Sequence, residues 1–264
     1  MNNNCLEILG LNYKNIFKDF SIAFADKSFL AITGPNNCGK TTLIRIIDGT
    51  FKTTNTILLY GKKLEDYKIT EVNNIIQTVI PLEITFTQVT VEEELIYKLP
   101  LGLNIDLKQK ILKKILKQFK LTKIKSKNLR ELSVEETIKL QLALATIVPP
   151  KILLLDDLST YFSRKDLLEL LDILNKIRIE SKITIIMATI NLNITINTDY
   201  IYVLNNSEIV LEGEPLSVLE KDNILNKVGL ELPFMLDLSV KLRDYDLLKK
   251  TELDIDRMVD TLWN

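Results

Sequence analysis

The chain has 264 residues, 34 Lys+Arg against 35 Asp+Glu for a net charge of −1, two Cys and no His. Without histidine there is no Ser-His-Asp triad, no Cys-His dyad and no His-ligated metal site; two cysteines make neither a disulfide framework nor a four-thiolate zinc site, which points to a reducing compartment. The near-neutral balance gives no footprint for nucleic acid, and 46 % hydrophobic with 26 % charged residues is globular, with length for one large domain or one plus a small appendage.

The opening MNNNCLEILG has no basic flank before an apolar run, so it is not read as a signal peptide. FLAIT at 29–33 and ILLY at 57–60 read as buried strands. The stretch 82–150 is mostly helical and interrupts the strand series, like an inserted helical subdomain. Within it, 106–119 places Leu107, Ile111, Leu112, Ile115, Leu116 and Phe119 on one helix face. The Lys-rich side of that helix is either a solvated face or a border with a membrane partner. Strands resume at 152–155, 183–187 and 200–204, around a helix at 163–180 striped by Leu167, Leu170, Leu171, Leu174 and Ile177. Asn205-Asn206-Ser207 reads as a turn between two strands. Beyond about 214 only helices are predicted, at roughly 237–249 and 252–263. Strands with intervening helices imply a parallel α/β sheet. No apolar run approaches the ~18–20 residues that span a bilayer, so a cytoplasmic chain is expected, free to dock on a membrane protein.

GPNNCGKT at 34–41 fits G-x-x-x-x-G-K-[ST], between the predicted strand 29–33 and the helical run TTLIRIID. Gly34 and Gly39 let the backbone turn so that the amides of Pro35-Asn36-Asn37-Cys38 and their neighbours can face a phosphate. The helix start adds partial positive charge, Lys40 a full one, and Thr41, followed by Thr42, a hydroxyl for Mg²⁺. Cys38 is either a tolerated small side chain or a thiol activated by the helix start. Ser133-x-x-Glu136 is a capping box that should start a helix running through Ala145.

LSVEE at 132–136 precedes an Asp-ended apolar strand, KILLLDD at 151–157, with Ser133 standing 23 residues before Asp156. Together with the phosphate loop this resembles the ABC-type ATPases, with their signature and Walker B strand. GLELPFMLDLSVKLRD at 229–244 and MVDTLW at 258–263 are similar to the C-terminal domain of the A-type ATPases of energy-coupling-factor (ECF) vitamin transporters, in particular the first of two paralogues. The resemblance implies a RecA-like parallel core with an antiparallel β part and an inserted helical subdomain at about 82–150, all within a nucleotide-binding domain at 1–213. A helical dimerisation domain would follow at 214–264. It implies ATP and Mg²⁺ as ligands, with the loop 34–42 on the phosphates, Tyr13 on adenine (or else an ordinary aromatic), and Thr41 and Asp156 on the metal. Ser133 would face the nucleotide of a second chain. It implies as partners a paralogous ABC ATPase, a transmembrane T-component and a substrate-binding S-component, at the cytoplasmic face of the cell membrane, with no nucleic acid.

Several positions depart from that family pattern. Asp157 stands where the family has a water-positioning Glu, one methylene shorter; it is either a weakened catalytic group or a solvated strand-end carboxylate. Ile190 occupies the switch-histidine position and Ser163 the D-loop aspartate position. Val134, Glu135 and Glu136 replace the signature's glycines and Gln. Gln77 is the candidate Q-loop glutamine. The implied chain keeps Lys40, Thr41 and Asp156 for binding MgATP and has weakened groups for hydrolysis. A soluble non-transport ABC protein fits less well, since one phosphate loop, no long coiled arm and no basic excess are present.

Overall fold

The computed structural model describes residues 4–53, 56–252 and 255–263. In chain order the elements are β1 (Asn4–Tyr13), β2 (Phe17–Ala25), β3 (Phe29–Thr33), α1 (Lys40–Ile47), β4 (Thr56–Leu59), β5 (Lys62–Lys63), α2 (Ile69–Ile75), β6 (Ile76–Val79), α3 (Val91–Lys98), α4 (Ile105–Gln118), α5 (Val134–Thr146), β7 (Ile152–Asp156), α6 (Arg164–Ser181), β8 (Thr184–Thr189), α7 (Leu192–Thr195), β9 (Tyr200–Asn205), β10 (Glu208–Gly213), α8 (Pro215–Leu219), α9 (Asp222–Lys227), α10 (Phe234–Asp244) and α11 (Ile255–Trp263).

The apolar runs β3, β7 and β8 are buried along their whole length, as strands covered on both faces must be. They form a six-stranded sheet in the order β10-β9-β3-β8-β7-β6. Five of its strands are parallel, and β10 adds an antiparallel edge. Side chains alternate across the sheet. Leu153, Leu155, Ile185 and Met187 pack under α5 and α6, against Ile138, Leu142, Leu167, Leu170 and Leu174. Ile152, Leu154, Ile186 and Ala188 pack on the other face with Leu43, Ile44 and Ile47 of α1.

That second face also meets an antiparallel sheet, β2-β1-β4-β5. The sequence patterns above did not single out β1 or β2; their pairing has three register shifts that blur a period-two pattern. Tyr202 locks the two sheets together, donating to the Ala23 carbonyl at 2.6 Å and meeting Phe24 edge-on.

Helices α3, α4 and α5 fall in the predicted insert. The tail helix expected at 237–249 instead spans Phe234–Asp244, where Pro233 opens it. Leu225, Leu230, Leu236 and Val240 of the tail share a core with Ala31, Ile201 and Val203 of the large sheet. No described helix is long and apolar enough to cross a membrane.

Candidate nucleotide site

β3 ends at Thr33, and the chain turns at once through Gly34 (φ +153°), Asn37 (φ +63°) and Gly39 (φ +106°) into α1. Both glycines are required sterically. A Cβ on Gly34 would run into the Leu204 carbonyl oxygen and lie 2.7 Å from Cys38 Sγ; one on Gly39 would lie 2.8 Å from the Phe17 ring. Asn36 and Asn37 are exposed at the crest of the loop, while Cys38, Gly39 and Lys40 are buried. The Lys40 ammonium folds into the loop, donating to the carbonyls of Gly34 (2.7 Å) and Pro35 (2.9 Å), with Cys38 Sγ at 3.7 Å. It is 8 % exposed, so a full positive charge sits at the floor of the turn.

The start of α1 differs from those of α3, α4, α5 and α6. Helices α3, α4, α5 and α6 each begin on a capping side chain: Thr90, Asn104, Ser133 and Ser163. Helix α1 begins on Gly39, with no side-chain cap and no acid in its first turn. Its leading amides and the positive end of its dipole therefore face outward unneutralised, beside Lys40.

Asp156 ends β7 next to this loop and is 7 % exposed. Burial raises its carboxyl above the ordinary range, opposed by a hydrogen bond from the Thr41 hydroxyl and by the charges of Lys40 and Arg45. Thr41 is exposed, with Thr42 half-buried behind it. The hydroxyl and the carboxylate thus share one spot at the C-terminal edge of the parallel strands. Among the described residues no cluster of three or more Cys, Asp and Glu could hold a metal alone. Thr33 Oγ1, the last side-chain oxygen before the loop, is buried without a hydrogen-bond partner.

Asp157 follows in the left-handed region (φ +23°), its amide donating to the Ala188 carbonyl at 3.0 Å. Its carboxylate accepts from the Ser159 hydroxyl at 2.6 Å, which ties it into the loop after β7. Tyr13, at the end of β1, stacks on Phe51 at 5.7 Å and 11°, with Lys14 Nζ 5.2 Å from its ring centre. Sequence reasoning missed Phe51 and Lys14, because the pair joins the end of β1 to the turn after α1 and no local pattern links those segments.

Gln77 is not brought to the phosphate loop. It lies inside β6 in register with Leu153, which pairs with Ile185 and so with Phe29, the first residue of β3. The loop follows the last residue of β3, so Gln77 sits four residues, about 13 Å, toward the opposite end of the sheet. Its amide turns back to the Asn73 and Ile76 carbonyls. The chain that leaves β6 on the phosphate side instead brings Glu83, ion-paired to Arg45 of α1.

The signature segment meets its capping prediction. Ser133 Oγ accepts from the Glu136 amide at 3.2 Å, and Glu136 Oε2 accepts from the Ser133 amide at 2.8 Å. Lys127 also donates to Glu136 at 2.7 Å and, as the largest cause, lowers its pKa. With Glu135 and Glu136 in the first turn, the positive end of α5 is already neutralised. Ser163 likewise caps α6, and Ile190 packs half-buried against the tail core.

The family model described as ABC transporter matches residues 17–160. The chain belongs to that family. ABC membership makes this chain a nucleotide-binding protein, and the match contains the loop, the signature segment and Asp156. The chain is 30 % identical to a putative ABC transporter ATP-binding protein of Nostoc, over 77 % of this chain and 76 % of that one. It is 27 % identical to the energy-coupling factor transporter ATP-binding protein EcfA of Pediococcus pentosaceus, over 96 % of this chain and 94 % of that one. Other relatives with the same energy-coupling-factor name, some as EcfA1, stand at 24–26 % identity over most of the chain. The fold is similar to cbiO1 of Clostridium perfringens, part of the ABC transporter complex cbiONQ, with a TM-score of 0.75, 24 % identity, and coverage of 92 % and 99 % of the two chains.

Proposed function

We propose that this ABC protein is the ATP-binding A-component of an ECF-type importer of vitamins or other micronutrients, peripheral at the cytoplasmic face of the membrane. It pairs with a paralogous ATPase beneath a transmembrane T-component and a substrate-binding S-component. The names of the relatives, close to full length on both sides, support the ECF reading. The observation that carries the nucleotide reading is the uncapped start of α1 with the Lys40 ammonium buried beside it.

In this reading residues 1–213 form the nucleotide domain and 214–264 a helical piece that takes part in pairing. Lys40 gives up the Gly34 and Pro35 carbonyls for the β and γ phosphates, and the amides of residues 35–42 complete the cradle. Tyr13, backed by Phe51, offers a flat ring to adenine. Thr41 and Asp156 suit Mg²⁺, a hard cation that takes oxygen ligands and needs further oxygens from the phosphates here. Bound there, the metal would neutralise and orient the phosphate oxygens.

The groups for hydrolysis are weaker. Asp157 is short and engaged by Ser159, Ile190 cannot hydrogen-bond a phosphate, and Gln77 lies at the far end of β6. Only interactions stronger in the transition state accelerate chemistry, so this chain binds ATP well and turns it over slowly. Ser133 is the group offered to the paralogue's nucleotide, at a helix end its own glutamates have neutralised. That neutralisation favours a second reading, in which ATP on this chain acts mainly as dimer glue.

Two measurements test both readings. The purified chain with Mg²⁺ and a non-hydrolysable ATP analogue should bind, and Lys40→Ala should weaken binding by roughly 10–100-fold, the worth of charge-assisted hydrogen bonds. No binding at saturating analogue overturns the nucleotide reading. In the reconstituted complex, a loss of transport-coupled hydrolysis in Lys40→Ala supports an active subunit. Hydrolysis that persists, but disappears when the paralogue's equivalent lysine is changed, supports the dimer-glue reading.

A further inference from the structure

Residues 105–127 hold nine Lys and one Asp, a net of +8, which leaves −9 on the rest of a chain whose total is −1. The charge is ordered. Helix α4 buries Leu112, Ile115 and Leu116, and its opposite side presents Lys110, Lys113, Lys114 and Lys117 at i, i+3, i+4 and i+7, all exposed. Like charges at these spacings repel, so the stripe does not serve the helix itself. Lys114 is tied to Glu180 at 2.9 Å, whereas Lys110, Lys113 and Lys117 have no ion-pair partner among the described residues.

Apolar surface lies at the N-terminal end of the same helix. The last turn of α3, the connection after it and the first residue of α4 expose Tyr97 (68 %), Leu101 (99 %) and Ile105 (73 %). A groove of about 570 Å³ runs beside α4, with Leu112 and Leu116 on its floor and Lys113, Lys117 and Lys125 on its rim; Glu92, also on the rim, is paired to Lys125 at 3.4 Å. Ammonium groups around apolar side chains, next to an exposed Tyr-Leu-Ile tip, suit a surface that is anionic outside and hydrocarbon beneath. A nucleic acid would use the lysines and leave the tip without a role.

We propose that the helical insert contacts anionic lipid headgroups directly, with the α4 lysines on the headgroups and Tyr97, Leu101 and Ile105 at the acyl boundary. The contact does not depend on the nucleotide site or on a transmembrane partner. The test is flotation of the full chain with vesicles of phosphatidylcholine alone or mixed with phosphatidylglycerol. The chain should bind only the anionic vesicles, and less as salt rises. Each lysine near such a surface is worth about a five-fold change in partitioning. Lys110→Gln/Lys113→Gln/Lys117→Gln should therefore reduce it on the order of 100-fold, and the matching triple Glu variant by more. Leu101→Ser/Ile105→Ser should weaken binding while keeping its salt dependence. Each variant is first checked for an unchanged melting temperature and unchanged ATP-analogue binding. No flotation of the parent chain with anionic vesicles overturns the proposal, as does undiminished flotation of both lysine variants. Undiminished vesicle binding with lost assembly into the transporter assigns the face to a protein partner. Tighter binding to duplex DNA than to vesicles assigns it to nucleic acid. Either of these also overturns the proposal.

Discussion

Ser133 has two separable roles, and substitution distinguishes them. Its hydroxyl accepts the Glu136 amide at 3.2 Å, while Glu136 returns the bond to the Ser133 amide at 2.8 Å and holds Lys127 at 2.7 Å. Ser133→Ala removes the first bond only and leaves one amide of α5 unpaired, a loss of about 1 kcal/mol with a range of roughly 0.5–2. In a chain of this size 1 kcal/mol corresponds to about 2–4 °C of melting temperature. Helix α5 carries Ile138, Leu140, Leu142 and Ala143 into the main core, so fraying of its start is felt by the whole fold. Ser133→Asp keeps a good cap and should melt within about 1 °C of the parent. It also adds a charge where the paralogue's nucleotide would approach. Because Glu135 and Glu136 already neutralise that helix end, turnover by the assembled pair should fall by no more than about five-fold, the factor carried by 1 kcal/mol of charge–dipole energy. The assays are calorimetric melting of the chain and steady-state hydrolysis by the reconstituted complex. An unmoved melting temperature in Ser133→Ala, or a collapse of turnover in Ser133→Asp, refutes the reasoning.

The lowered pKa of Glu136 makes a pH prediction. The carboxylate is favoured in the folded state by Lys127, so its stabilisation is present above the ordinary Glu value of 4.5 and drains as pH falls through the lowered folded pKa. Glu136→Gln should flatten that part of the acid limb, and parallel melting curves for the two chains would count against it. Burial pushes the Cys5 thiol up to about 11, so it should resist iodoacetamide at neutral pH in the folded chain and react only on denaturation; rapid native-state labelling, read by mass spectrometry, contradicts this. Ending the chain at about residue 225 strips Leu230, Leu236 and Val240 from the sheet face at Ala31, Ile201 and Val203. At about 1.5–3 kcal/mol for each buried side chain, that loss is comparable with the whole stability of a domain. The truncated chain should therefore unfold or aggregate, rather than lose pairing alone; a soluble truncated chain that still melts cooperatively contradicts the packing argument.

Short-range features were legible in the residues themselves. The phosphate loop, the capping box and the buried strands each depend on a few consecutive side chains whose backbone preferences and hydrogen bonds are local. Residues 34–41, Ser133 with Glu136, and the runs at 29–33 and 152–155 could therefore be read directly, and the structure places the first of these at an uncapped helix start. Long-range geometry was not legible. Whether Gln77 reaches the phosphate edge depends on the register of β6 against β7, since a strand residue gains or loses about 3.3 Å per step along the sheet. The tertiary structure alone decided that Glu83 meets Arg45, that Phe51 backs Tyr13, and that Ser159 holds Asp157. It also decided that the tail helices complete the core over β3 and β9, because burying those leucines needs a sheet face assembled from segments more than a hundred residues apart.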